Sequence, residues 1–265
     1  MCQRIGAKMS KALTKTNELN TYLKKRTNSL REWAQNRVDP VALIRFANLE
    51  FSQSLQLQKC TPDSIYLALI ACAQLGLEPG GVKQEAFIIP YKDTATFQLG
   101  YRGIIKLALQ SRQVLKLGAN VVYEGDVVEM DIGSNAYVKH EPGRDRGEII
   151  GAYAYAKLRN DEVDVEWMSL DDLEKIEKQA SRGGRQTPAW RDWADQMYRK
   201  APIRRLGKRL PMSADYALAT RLDELAEGRD VAGYKGTIAA TGVNVEAELS
   251  EAVGVEAMKT EMGVE

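Results

Sequence analysis

Apolar positions recur at helical spacing through the first third of the chain and at a shorter period in the middle. Leu19, Tyr22, Leu23, Leu30 and Trp33 predict a weakly amphipathic helix across residues 17–37. Asp39 before Pro40, and Thr61 before Pro62, each place a capping side chain ahead of a proline at the first helical position. Val41, Ile44, Phe46 and Leu49 continue the first of these helices. The second, SIYLALIACAQL, is apolar nearly all round, which predicts a buried helix ended by Gly76.

EAFIIPYK (85–92) and TATFQLG (94–100) are short β-rich runs joined through Lys92, Asp93 and Thr94, the pattern of a hairpin. Arg102 to Arg112 reads as a helix that turns Ile105, Leu107 and Leu109 inward. GANVVYEG, DVVEMDI and EIIGAYAYAKL read as strands. Ser169 with Asp172 opens a helix to Gln179, SRGGRQTP is a basic glycine-rich loop, and Ala189–Leu210 is a long helical pattern. Pro202 inside that pattern should kink it or restart it. The predicted fold class is α+β: N-terminal helices, a central mostly antiparallel sheet with a hairpin, basic C-terminal helices and a disordered tail. The tail, 228–265, holds seven acids and three bases with little periodicity, and is a candidate for partner binding. Residues 1–16 are expected to be flexible and 17–227 to form one core.

Composition narrows the function more than the fold. Of 265 residues, 44% are hydrophobic and 28% charged, ordinary for a globular protein. No apolar run reaches the roughly 18 residues of a membrane span, and the N-terminus lacks an apolar signal segment, so the cytoplasm is expected. Cys2, Cys60 and Cys72 suit reduced thiols better than a disulfide framework. His140, the single histidine, stands in KHEPGRDRG and reads as a surface-loop residue. There is no GxxxxGK[ST], no acidic residue two before any lysine, and no nucleophile elbow. Asp161, Glu162, Asp164 and Glu166 could hold a metal or simply form a charged turn and exposed strand face. No catalytic centre and no required cofactor are expected, with Mg²⁺ at most a modulator.

Net charge is only +1, but its distribution is uneven. Residues 160–177 hold eight acids and one base, while 181–210 hold nine bases and two acids. Two basic constellations follow. The first runs from Gln98 to Arg112: Arg102 and Lys106 share a helix face, Lys92 precedes them in the hairpin turn, and Tyr101 could stack on a base or pack at a strand–helix junction. In the second, Lys200, Arg204 and Lys208 recur every four residues beside a row of Arg205 and Arg209. Helical rise sets such members about 6 Å apart, near the spacing of adjacent phosphates. A uniformly cationic face binds a backbone without reading bases. A solvated face with no ligand has the same pattern.

At these residues the chain resembles the RecT family of phage single-strand annealing proteins. EAFIIPYKDTATFQLGYRGIIKLALQS is similar to the family signature, followed in order by VVYEGD, KHEP…RGEIIGAYAYAKL, MSLDDLEKI and TPAWRDWADQMYRKAPIRRLGKRLP, together covering about residues 20–225. One departure is Lys200-Ala201-Pro202, where family helices often run Lys-Thr-x-x-Arg. The resemblance implies ATP-independent binding of single-stranded DNA and nascent duplex by a homo-oligomer, ring or helical filament, in phage-type recombination inside a bacterial cell. It also implies a 5′-to-3′ exonuclease and the host single-strand binding protein as partners. Annealing needs no chemistry, because base pairing supplies about 1.4 kcal/mol per step. Two other functions use the same residues: a nuclease built on the acids at 161–166, and a sequence-specific regulator using 188–211 as a recognition helix.

Overall fold

α1 (Cys2–Lys25), a stretch with no proline and a single glycine, takes in most of the segment 1–16. This computed structural model describes residues 2–181, 190, 194–228 and 230–248. It divides into two compact units, one of residues 1–100 with 221 onward and one of residues 101–220, where the sequence pattern suggested one core.

In the first unit, α1 gives way at Arg26 to α2 (Thr27–Ala34). α3 (Pro40–Gln53) and α4 (Pro62–Leu75) begin as predicted: Asp39 accepts the Val41 N–H and Thr61 accepts the Ser64 N–H, each with proline at the helix start. α4 buries almost every side chain and stops at Gly76, whose φ of 64° is left-handed. β1 (Ala86–Tyr91) and β2 (Thr94–Leu99) pair antiparallel, and the Tyr91–Thr94 register leaves Lys92–Asp93 as a two-residue turn.

The second unit holds α5 (Tyr101–Gln110), β3 (Val114–Tyr123), β4 (Val127–Asp131), β5 (Tyr137–Glu141), β6 (Ile149–Leu158), β7 (Val163–Ser169), α6 (Leu170–Ala180) and α7 (Ala194–Gly207). β3, β6 and β7 form an antiparallel sheet in the order β3-β6-β7; β4 and β5 form a separate two-stranded ladder. The expected central sheet is thus, among the described residues, three antiparallel pieces. α5 buries Ile104, Leu107 and Ala108 at helical spacing, while Ile105 is half-buried and Leu109 exposed, a correction to the predicted inward set. Ser169 caps α6 by accepting the Asp172 N–H. α6 and α7 pack on the sheet face of Val121, Ala152 and Met168, with Leu173, Trp190 and Tyr198 completing that core. α7 runs through Pro202 without ending, and it stops at Gly207, so Lys208 and Arg209 lie beyond it.

α8 (Ala214–Gly228) begins in the second unit and returns the chain to the first. The tail expected from residue 228 is instead ordered through 248. α9 (Val231–Ala240) starts at an Asp230 cap, and Tyr234, Ile238 and Val243 are buried. The Phe97 N–H donates to Tyr234 Oη at 2.9 Å, and Gln74 donates to Thr241 at 2.8 Å. Glu248 accepts from Ser29, Trp33 and Tyr66. Burial pushes its carboxyl up, but these hydrogen bonds and the nearby Arg26 charge outweigh it and hold the group below the usual range. The SRGGRQTP loop apart from Ser181, together with Arg182, Arg185, Arg191 and residues 249–265, lies outside the described residues.

Candidate nucleic-acid interface

In the first unit, Lys92 stands exposed at the tip of the β1–β2 turn with a left-handed φ of 57°. Gln98 is half-buried on β2 opposite Phe87. The remaining candidate residues belong to the second unit.

Tyr101 opens α5 but is packed: its hydroxyl accepts the Ala119 N–H at 3.2 Å and donates to the Ala119 carbonyl at 3.4 Å. Burial pushes its pKa up. Of the two readings of Tyr101, the geometry is that of a junction residue. Arg102 is exposed and Lys106 half-buried on one side of α5, and Arg112 is exposed just past the helix in a left-handed conformation, its carbonyl accepting from Arg159. α5 packs against β3 and α7, so these cations share a unit with the second constellation.

That second constellation does not form the expected row. Lys200 is only 5% exposed, because its position on α7 turns inward with Tyr198 and Ile203. Arg204 is half-buried, and Lys208 is exposed but beyond the helix end. Arg205 bonds Glu166 at 2.9 Å; Arg209 bonds Asp164 at 2.9 Å and also reaches Glu166. Hydrogen bonds to Asp164 and Glu166 hold the Arg209 guanidinium above its ordinary pKa. Two acids of the run, Asp164 and Glu166, therefore serve as the counter-charge of Arg205 on α7 and of Arg209 just beyond it. Asp164 and Glu166 face arginines, and no grouping of three metal-ligating side chains occurs among the described residues.

Sequence reasoning missed a polar cluster at the neck of the β4–β5 hairpin. His140 is a β5 residue, not a loop residue, and its side chain is buried: Nε2 meets Asp126 at 3.0 Å and Nδ1 meets the Tyr153 hydroxyl at 3.2 Å. Asp126 also accepts from the Tyr123 and Gly143 N–H groups and bidentately from Arg146. The Arg146 bonds, against the cost of burial, hold its carboxyl far below the usual range. Only the spacing of one histidine among arginines and acids hinted at this cluster.

The RecT family model matches residues 43–237, most of the chain. This chain belongs to the RecT family. It is similar to Protein RecT of Escherichia coli (strain K12), with 33% identity over 191 residues, covering 69% of this chain and 70% of that protein. It is also similar to the Bacillus subtilis (strain 168) protein named Uncharacterized protein YqaK, at 28% identity over 132 residues, half of this chain and 46% of that one. The RecT match spans both basic constellations and the α6 cap and ends within α9, so it takes in part of the segment that composition alone assigned to a tail. Family membership places the chain among recombination-associated single-strand annealing proteins. Among the described residues no helix is long and apolar enough to cross a membrane.

Proposed function

We propose that this RecT-family protein binds single-stranded DNA without sequence preference and anneals complementary strands without ATP, acting as a ring or helical filament of identical subunits in a bacterial cytoplasm. The family match over residues 43–237 carries the reading. The phosphate contacts proposed are the outward cations: Lys92 in the first unit, and Arg102, Lys106, Arg112, Arg204 and Lys208 in the second, with Gln98 as a polar neighbour. Arg205 and Arg209 contact DNA only in exchange for Glu166 and Asp164. Lys200 and Tyr101 are assigned to packing. Pairing supplies the free energy, so the protein's task is to neutralise two backbones while the bases meet. A 5′-to-3′ exonuclease that exposes the strand and the host single-strand binding protein are the proposed partners; Mg²⁺ modulates annealing and takes part in no chemical step.

The test is a fluorescence assay with two complementary oligonucleotides and no nucleotide present. Pairing should be faster with the protein, and strand length should be conserved in Mg²⁺. A strict requirement for ATP hydrolysis would overturn the proposal, and shortened strands would favour the nuclease. Electron microscopy of the protein alone, with one strand and with two added in turn, reports the oligomer.

A further inference from the structure

The β3–β6–β7 sheet sorts its charges between its two faces. Register places Ala154 beside Glu166 and Ala156 beside Asp164 on the side where Arg205 and Arg209 reach them. The opposite face carries Lys116, Gly118 and Asn120 from β3, Tyr153, Tyr155 and Lys157 from β6, and Val163, Val165 and Trp167 from β7, with no acid among them. It is covered at one end, where Tyr153 meets His140 of the hairpin, and it opens towards Tyr155, Lys116 and Lys157.

A lysine pair and an aromatic ring meet at that open end. Lys116 and Lys157 stand directly opposite on adjacent antiparallel strands, a like-charge pair that costs stability unless something negative lies between them. Among the described residues the acid bonded to the pair is Asp161, which meets Lys157 at 2.9 Å and is itself exposed, so the pair is solvent-screened. Next along the same face, Tyr155 lies across Gly118: a Cβ built there would come within 2.9 Å of the ring, so the glycine lets the phenol lie down on the sheet. The ring keeps part of its surface exposed, and Lys116 Nζ sits 5.3 Å from its centroid. Side chains two apart on one strand are about 6.6 Å apart, the reach from a phosphate to a neighbouring base.

We propose that the Lys116–Lys157 pair and the flat Tyr155 ring form a nucleotide subsite for single-stranded DNA, the two ammonium groups sharing a phosphate and the ring stacking the adjoining base. The subsite rests on the DNA-binding reading but uses none of the residues of the two basic constellations. Phosphate contact by two lysines and base stacking leave separate signatures. Charge contributes to the salt dependence of binding, about 0.7 per contact in the plot of log affinity against log salt for single strands. Stacking contributes to affinity at any salt, roughly fivefold to a hundredfold per base.

Titrations of fluorescent oligo-dT across a salt series, with thermal melts as folding controls, test this. Lys116→Gln with Lys157→Gln, which removes the one shared phosphate contact, should flatten the slope by about 0.7. Tyr155→Leu, which keeps apolar cover over Gly118, should weaken binding roughly fivefold to a hundredfold at unchanged slope, and Tyr155→Phe should retain wild-type affinity. Folded variants with wild-type slope and affinity overturn the subsite while leaving the proposed function intact. A flattened slope with full affinity in Tyr155→Leu also overturns it, since that describes an anion contact without a base. Failure of the wild-type protein to bind oligo-dT removes the functional reading itself.

Discussion

Residues 199–209 and residues 230–248 invert what their compositions suggest. The first segment is the most basic in the chain, yet it buries Lys200 and engages Arg205 and Arg209 with the acids of β7. The second is rich in Gly, Ala, Val and Glu, yet it inserts Tyr234, Ile238 and Val243 into the first unit. Composition reports what a segment prefers in water, while packing depends on whether a few residues find a matching surface. α9 needs only Tyr234 and Ile238, four apart, to dock. Arg205 on α7 and Arg209 just beyond it need a counter-charge, which β7 supplies.

Truncation after Gly228 should have the largest effect. If 230–248 is integral, removing three buried side chains costs on the order of 5 kcal/mol, enough to unfold the first unit. Circular dichroism and denaturant titration should show a lost cooperative transition; an intact fold would return the segment to the status of a tail. The next effect is smaller. Arg209→Ala leaves buried Glu166 with Arg205 alone and should destabilise by about 1–3 kcal/mol, less than a fully buried pair because Arg209 is about half exposed. Arg102→Ala with Lys106→Ala sharpens the contrast from the other side. Stability should change by under about 0.5 kcal/mol, while the salt slope of single-strand binding falls by about 1.4. Equal denaturation midpoints for this variant and Arg209→Ala would show that the two basic constellations do not differ. The smallest effect is in acid. The folded-state pKa of Glu248 lies below its unfolded value, so its contribution is present at neutral pH and is lost as pH falls below about 4. Glu248→Gln should therefore narrow the gap in melting temperature between pH 7 and pH 3.5, and an unchanged gap would show that its three donors do not stabilise the carboxylate.

What was legible in the chain was local. Asp39-Pro40, Thr61-Pro62, Gly76 and Ser169 act through neighbours within four residues, so the sequence alone locates them. β1, β2, β3, β4 and β6 carry enough β-branched and aromatic residues to show themselves. β5, YVKHE, alternates exposed and half-buried residues with charges on both faces, and nothing local marks its pairing with β4. The inward turn of Lys200 is set by which side of α7 meets the sheet, and a four-residue spacing defines a face without saying what it faces. The partners of Arg205 and Arg209 lie about forty positions away. The family resemblance reached further than residue chemistry because it carries tertiary information that local patterns lack.

The neck cluster around Asp126 bears on the order in which the second unit assembles. Tyr123 pairs with Ile149 at the end of the β3–β6 ladder, and beyond it Glu124 N–H donates to the Glu148 carbonyl and Gly125 N–H to the Arg146 carbonyl. Asp126 then grips Gly143 and Arg146, and the Val127–Glu141 pair opens the β4–β5 ladder. Residues 114–158 are thus a single long zipper with an irregular waist. Closing β3 on β6 directly would require joining the ends of a 25-residue loop, whereas zipping from the tip at 132–136 closes only a few residues at each step. The buried carboxylate lets pairing pass through a stretch where the ladder is broken, so a topologically distant strand pair can form by a succession of local events.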